Sequence, residues 1–467
     1  FRRSLRAGKA GGKIVAAADP TKHREVNIME NHVFYPLPKK KYPMIVKAEG
    51  LYLWDSEGKR YMDGCSGALV SNIGHGVKEV NAAIAAQLAE VSFAHRFKFT
   101  NRPVQELARL IAGLAPGDIN WVTFMSGGSE ATETAMKMAR EYFIEKGKPS
   151  KYKIVARWQS YHGNTAGALS MSGHPGRRRR YAPLLLDFPH VEPAYCYRCP
   201  WGKTAAACSL ECAAAVEQAV LREGPDNIAA VIIEPVVGSS LGAAVPKDGY
   251  LQAVRAICDR HDVLLIADEV MTGLGRTGAK FAVDHWNVVP DMICLAKGAS
   301  GGYAPLGAVA VRERVYDAFF SGSGRFAHGF TFGGNPLAAA AGCAVINYIL
   351  ANNLVDRARE RGGYLLEKLR SLQAKYPAIG DVRGLGLMTG VEFVADRKTK
   401  QPFPASAGLT DKIVNAALGL GLMLYGAGAC ADGTAGDAVM IAPPLTVTEA
   451  EIDEIVDLFG QTLAQTL

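Results

Sequence analysis

The spacing of apolar residues changes character three times along the chain. In residues 51–63 (LYLWDSEGKRYMD) two short apolar runs flank a cluster of turn formers at Ser56 to Gly58, which predicts two short strands joined by a tight turn. From about Asn81, helical periodicity alternates with nearly continuous apolar runs at 121–125, 153–156, 230–234, 263–269 and 292–296. Strands without polar alternation must be covered on both faces, so this pattern predicts a mostly parallel α/β sheet flanked by helices. The ligand of such a sheet lies at the carboxyl ends of its strands. From about Asn353 come a long helical stretch rich in arginine and glutamate, an apolar strand at 387–393 and a closing helix from Thr448, which predict a smaller α+β domain. The expected division is 1–80, contributing to the small domain; 81–350, the large domain; and 351–467, the carboxyl-terminal small domain.

Two charged residues interrupt the apolar runs where a ligand would lie. The run Leu264 to Ala267 ends in Asp268, and strand periodicity puts Asp268 and Val270 on one face. About one crossover later, Met292 to Ala296 delivers Lys297 and then Gly298. A lysine at the end of a buried strand is desolvated, which lowers its pKa and leaves an amine able to form an imine. Singly, Lys297 also reads as a strand-end lysine reaching for solvent, and Asp268 as a turn cap. Between the 121–125 run and a helical stretch lies Ser126-Gly127-Gly128-Ser129-Glu130. There, small residues and free N–H groups at a helix start suit a phosphate; Ser129 also reads as an ordinary cap. Tyr161-His162-Gly163 offers an aromatic face beside a neighbouring strand end, for stacking on a flat cofactor or for core packing.

These segments resemble the class III aminotransferases of the fold-type I pyridoxal-phosphate enzymes. The similarity runs from about Phe34 onward through SGGSEATETAMK, SYHGNT, IIEPVVG, LLIADEVMTGLGRTG, LAKG, HGFTFGGNPLAAAAG and VRGLGLMTGVEF. The resemblance implies a large domain with a mostly parallel, seven-stranded type of sheet plus a smaller α+β domain, and pyridoxal 5'-phosphate as cofactor. It implies that Gly128 and Ser129 hold the phosphate, Tyr161 stacks on the ring with His162 beside it, and Glu234 belongs to the cofactor site. Asp268 would pair with the ring nitrogen, Val270 would pack on the opposite face, and Lys297 would form the internal aldimine and move the proton. Phe330 and Thr331 would reach the cofactor of a second subunit, giving a homodimer with shared sites, or a tetramer built from it. Phe34, Leu69 and Tyr161 would line the substrate pocket. The reaction implied is ping-pong transfer of an amino group from an amine or ω-amino donor to a keto acid, pyruvate by family precedent. A mutase, racemase or decarboxylase on the same cofactor is the alternative.

Two departures bear on the substrate. The family's arginine before APPL is absent from Val439-Met440-Ile441-Ala442-Pro443-Pro444-Leu445, and residues 425–439 contain no arginine. Arg383 or the run at 177–180 remains to hold a carboxylate, although Arg383 reads first as structural. Leu69, where a tryptophan is common, suggests a roomier pocket suited to long or bulky amines.

Composition removes other classes. The 467 residues are 49% hydrophobic and 21% charged with a net charge of +7, so a large core is expected and long disorder is not. The basic runs at 39–41 and 177–180 lack interleaved aromatics and read as solvated loops, so no nucleic-acid partner is expected. No secretory leader pattern is evident, and the apolar stretch from Pro336 ends at Asn347, short of the ~20 residues of a membrane span. Nine dispersed cysteines fit a reducing cytoplasm rather than a disulfide framework. Cys196, Cys199, Cys208 and Cys212 have a spacing compatible with zinc, but reduced thiols are the simpler expectation and no metal is assigned. Gly273 to Gly278 matches GxGxxG, a weak nicotinamide signal on its own.

Overall fold

A computed structural model describes residues 32–204 and 206–467. The chain divides into two compact units, Phe1–Met44 and Ile45–Leu467. In the described part of the first, the rings of Tyr35 and Tyr42 stack at 4.5 Å and Phe34 is exposed.

The second unit holds three sheets. Strands β1 (Ile45–Glu49), β2 (Tyr52–Asp55) and β3 (Arg60–Met62) form an antiparallel meander, with the turn at 56–58 where the turn formers cluster. The central sheet comprises β4 (Ile119–Met125), β5 (Lys153–Arg157), β6 (His190–Val191), β7 (Ile228–Ile233), β8 (Leu264–Asp268), β9 (Met292–Leu295) and β10 (Gly307–Arg312), in the order β4-β10-β9-β8-β7-β5-β6. The pairs β6/β5, β5/β7, β7/β8 and β8/β9 are parallel. Only β10 runs against its neighbours β9 and β4. Strands β7, β8 and β9 are buried along their whole length, which is why they contain no polar alternation. The third sheet, β11 (Ile379–Leu385), β12 (Met388–Phe393), β13 (Tyr425–Gly426) and β14 (Asp437–Ile441), is antiparallel in the order β11-β12-β14-β13.

Helix ends follow local chemistry. The helix Arg102–Leu114 begins where the Asn101 side chain accepts the Val104 N–H at 3.0 Å. The closing helix Glu449–Thr466 starts in a reciprocal capping box between Thr448 and Glu451. The helix Gly128–Glu145 lays Ala131, Ala135, Met138 and Ala139 into the same apolar cluster as β8 and β9 residues Ile266 and Met292.

The meander is tied to the carboxyl-terminal third by backbone bonds. Met62 N–H donates to Gly421 O at 2.7 Å, and Met423 N–H donates to Met62 O at 2.9 Å. The Arg276 guanidinium crosses the boundary between the central sheet and the third one. Nη1 donates to Leu387 O (3.0 Å) and Pro443 O (2.6 Å), and Nη2 to Ser66 Oγ (3.1 Å) and Asn72 Oδ1 (2.5 Å). Burial pushes its pKa down to about 9. The glycine-rich run around it is followed by the short 3₁₀ helix Ala282–Trp286 rather than an α-helix, so the geometry of a dinucleotide fingerprint is absent there.

Among the described residues no single helix is long and apolar enough to cross a membrane. All nine cysteines are free, and among the described residues no group of three or more His, Cys, Asp or Glu side chains is arranged to hold a metal ion.

Candidate active site

A cavity of about 420 Å³ opens where β4, β8 and β9 end. Its wall includes Gly128, Ser129, Tyr161, His162, Glu234, Asp268, Val270 and Lys297, residues that lie up to 169 positions apart in sequence and were nominated from local patterns or, for Glu234, from the family resemblance alone. Phe330 and Thr331 are not in this wall; Phe330 is half-buried and Thr331 exposed. Leu69 is 1% exposed in an apolar cluster with Met388 and Met440, and its neighbour Val70 lines the cavity instead. The reason is a kink: Ser66, Gly67 and Leu69 all have positive φ, so alternation along this segment cannot be counted as in a strand.

At one end of the cavity, β4 leads through extended Gly127 into the helix Gly128–Glu145. The first N–H groups of a helix lack intrahelical partners and carry its positive dipole end, so this corner favours an anion. A Cβ on Gly128 would meet Val270 Cγ1 at 3.0 Å. Gly163 is packed more tightly: its φ is +133°, and a Cβ there would come within 2.6 Å of Ser129 Oγ. The Ser129 hydroxyl accepts the Asn164 N–H at 3.0 Å and keeps its own proton available.

At the other end stand the charges. Asp268 is 5% exposed at the tip of β8; Oδ1 accepts the Val270 N–H at 3.1 Å, and Oδ2 lies 2.7 Å from His162 Nδ1. His162 Nε2 is buried and has no partner among the described residues. Glu234 accepts Tyr161 N–H through Oε1 (3.1 Å) and Gly238 N–H through Oε2 (2.8 Å). Burial raises its carboxyl pKa, Asp268 adds to that, and His162 and Arg157 oppose it.

Lys297 follows β9 with φ +44°, an uncommon conformation for a residue with a side chain, held by the turn Ala299 N–H to Ala296 O at 2.8 Å. Burial lowers its pKa to about 8, with Asp268 and Glu234 opposing the shift and Arg177 adding to it. The amine is therefore partly neutral near physiological pH, as nucleophilic and proton-transfer chemistry requires. Next to it, a Cβ on Gly298 would fall 2.0 Å from Asn72 Nδ2, so only glycine lets the loop bearing Asn72 close over this turn.

The sequence offered the run at 177–180 as a carboxylate holder without singling out Arg177, whose guanidinium carbon lies 4.3 Å from the Tyr161 ring centroid. Arg177 and Arg178 close the short helix Pro175–Arg178, and Arg179 and Arg180 open the 3₁₀ helix Arg179–Leu184. Arg383 is 10% exposed at its side chain and fully engaged: it pairs with Asp381 and Glu392 at 2.8 Å each and donates to Leu241 O and Gly242 O.

A helix start suited to phosphate, a carboxylate, an aromatic ring, an apolar residue and a depressed-pKa lysine around one cavity match the parts of pyridoxal phosphate, and with this sheet they define a fold-type I pyridoxal-phosphate enzyme. The family model described as Aminotransferase class-III matches residues 36–463. The chain is 41% identical over 436 residues to an uncharacterized aminotransferase of Bacillus subtilis, covering 93% of this chain and 98% of that protein. It is 35% identical to a putrescine–pyruvate aminotransferase of Pseudomonas aeruginosa, with 92% of each chain covered. Among solved structures it is similar to an amine transaminase from an uncultivated Pseudomonas species in its PLP-bound form, with a TM-score of 0.88, 35% identity and coverage of 94% of this chain and 99% of that one. An (S)-enantioselective omega-transaminase from Thermomicrobium roseum gives a TM-score of 0.86, 37% identity and coverage of 95% and 96%. The chain belongs to the class III aminotransferases; it is a pyridoxal-phosphate-dependent transaminase that takes amine donors and keto acid acceptors.

Proposed function

We propose that this enzyme transfers the amino group of an amine or ω-amino donor to pyruvate in two successive half-reactions at the cavity around Lys297. The observation that carries this is the meeting of Lys297 and Asp268, at the tips of adjacent strands β9 and β8, in the wall of one cavity with the helix start at Gly128. The putrescine–pyruvate aminotransferase among its relatives supports the choice of donor and acceptor class.

Pyridoxal phosphate, when bound, supplies a carbonyl carbon for amines and a conjugated ring that accepts the electron pair left by a departing proton. Gly128, Ser129 and the adjoining N–H groups would hold its phosphate, Tyr161 and Val270 its two ring faces, and Lys297 Nζ its carbonyl carbon. Asp268, kept in place by His162 and the Val270 N–H, would pair its negative charge with the ring nitrogen. Lys297 Nζ would act as the base that takes the proton from the donor carbon and as the acid that returns it, and with a keto acid it would move the proton the opposite way. The Gly127-Gly128 turn and buried Glu234 shape the pocket around these atoms.

The proposal includes a homodimer in which Phe330 and Thr331 reach the partner's cofactor, or a tetramer of such dimers, a cytoplasmic location in keeping with nine free thiols, and domain boundaries near residues 80 and 350. The test is to load the enzyme with pyridoxal phosphate, reduce it with borohydride and map the modified lysine, then add an aliphatic amine followed by pyruvate while following the visible band. Modification at Lys297 and a band lost with amine and regained with pyruvate is the expected outcome. Modification elsewhere, or a band unmoved by any amine, overturns it.

A further inference from the structure

Glu234 stands in the cavity wall just after β7, and both of its carboxylate oxygens are in use. Oε1 accepts the Tyr161 N–H at 3.1 Å and Oε2 accepts the Gly238 N–H at 2.8 Å. Two N–H groups need an ionised acceptor, because a protonated carboxyl turns one of its oxygens into a donor. The surroundings push the other way: Glu234 is 5% exposed, burial raises its carboxyl, and Asp268 adds to the rise. The nearby His162 ring is already committed to Asp268 through Nδ1, and Lys297 must shed its charge to act as a base.

The remaining cation is Arg157, at the end of β5 and 77 residues from Glu234 in sequence. It is 2% exposed, and its guanidinium holds a carbonyl rather than a carboxylate: Nη2 donates to Glu234 O at 2.7 Å, and Nε has no partner among the described residues. A guanidinium buried with so little compensation is costly, so its charge has to be used nearby. The acid it reaches is Glu234, where it works with His162 against burial and Asp268.

The contacts close into a ring. Arg157 Nη2 holds Glu234 O, Glu234 Oε1 holds the Tyr161 N–H, and the Ser160 hydroxyl donates back to Arg157 O at 2.7 Å. The loop carrying Ser160 and Tyr161 lies flat against Gly173, whose N–H donates to Ser160 O at 3.1 Å and where a Cβ would fall 2.0 Å from Arg157 O. Of the ring's members, Glu234 and Tyr161 reach the cavity, while Arg157 does not.

We propose that Arg157 is a positioning residue for transamination: through the main chain and carboxylate of Glu234 it fixes the Tyr161 backbone, and so sets where the Tyr161 ring lies over the cofactor site. It acts through Glu234 and touches neither cofactor nor substrate. The assignment rests on the transamination proposed above.

The test compares Arg157→Gln, which keeps a donor and loses the charge, with Arg157→Lys, which keeps the charge, each alone and with Glu234→Gln. In the pyridoxal-phosphate-loaded enzyme with an aliphatic amine and pyruvate, Arg157→Gln lowers kcat about 10- to 100-fold while the KM for the amine changes far less, as a displacement of about 1 Å near the reacting atoms costs. The acid limb of its pH–rate profile moves toward neutral, and Arg157→Lys holds that limb in place. In the Glu234→Gln background, Arg157→Gln adds no further loss and moves no limb. The cofactor-free enzyme gives a readout independent of turnover. A carboxyl raised in the folded state stabilises the fold at low pH, and that stability is lost as pH rises through the folded value. Urea melts across pH should show this loss moved to higher pH in Arg157→Gln and no such move in the Glu234→Gln background. Losses that add in the double variant, or melts of Arg157→Gln that follow the wild-type pH dependence, overturn the assignment. If Arg157→Gln does not fold, Arg157→Lys must keep the wild-type acid limb while losing part of kcat, and Glu234→Gln must cancel that loss. A wild type that converts no amine sinks the transamination reading, and the urea melts then decide alone whether Arg157 acts on Glu234.

Discussion

His162 Nδ1 lies 2.7 Å from Asp268 Oδ2 with both side chains buried, while His162 Nε2 has no partner among the described residues. Two elements that meet only in the folded chain, the loop after β5 and the tip of β8, thus share one polar contact, and the imidazole orients the carboxylate. Replacing Asp268 with Asn keeps the shape and removes the charge. The variant is expected to bind pyridoxal phosphate but to lose roughly 10²- to 10³-fold in kcat, as when one preorganised electrostatic group is removed. Steady-state rates with an aliphatic amine and pyruvate check this, and a kcat near that of the wild type contradicts the role given to Asp268.

Lys297 provides a pH signature independent of turnover. Its pKa is lowered by burial from 10.5 to about 8 in the cofactor-free fold, so between these values the unfolded chain binds more protons than the native one. The sign of the linkage is therefore positive: stability rises as pH increases from about 8 to 10.5, and the buried charge is a cost below that window. Urea melts of the apoenzyme across this range should show the rise in the wild type and a correspondingly flatter profile in Lys297→Met.

Ser129 tests the phosphate corner. Ser129→Ala removes a hydroxyl that accepts the Asn164 N–H and is free to donate to a phosphate. Pyridoxal phosphate affinity, measured by equilibrium dialysis, should weaken about 10-fold, the value of one hydrogen bond to a charged group. An unchanged affinity would place the phosphate elsewhere.

Gly298→Ala puts a methyl group 2.0 Å from Asn72 Nδ2, and Asn72 Oδ1 in turn accepts from Arg276. Destabilisation of about 1–3 kcal/mol is expected from overpacking, read by urea denaturation. Activity should fall with it, because the displaced loop carries Val70 into the cavity wall.

Arg383→Ala separates a structural arginine from a substrate anchor. Glu392 is fully buried and would lose its Nη2 partner at 2.8 Å while keeping Arg198, so a stability loss of about 1–3 kcal/mol is expected from the hydrogen bonds left unmade. A folded variant with normal stability and a raised pyruvate KM would contradict the structural role and make Arg383 a substrate anchor.

Local chemistry alone made several features legible. Apolar runs without alternation, such as Leu264 to Ala267, announce strands covered on both faces, and a charge at their end, Asp268 or Lys297, stands out because burying it is costly. The start of the helix Gly128–Glu145 was visible in its small residues, and the closing helix in Thr448 and Glu451. These signals lie within a few residues of one another, where backbone and solvation preferences act directly.

Tertiary packing decided the rest. The antiparallel course of β10 between β9 and β4 leaves no mark in GAVAVR, since an apolar strand is equally apolar in either direction. Val70 rather than Leu69 faces the cavity because Arg276 and Asn72, 204 residues apart, hold that loop in a positive-φ kink. Of four identical neighbours at 177–180, only packing against Tyr161 and the carbonyls after residue 168 distinguishes Arg177 from Arg178. A residue's type and spacing set what it can do; which partner it meets depends on segments brought together from far along the chain, and that information exists only once the core has closed.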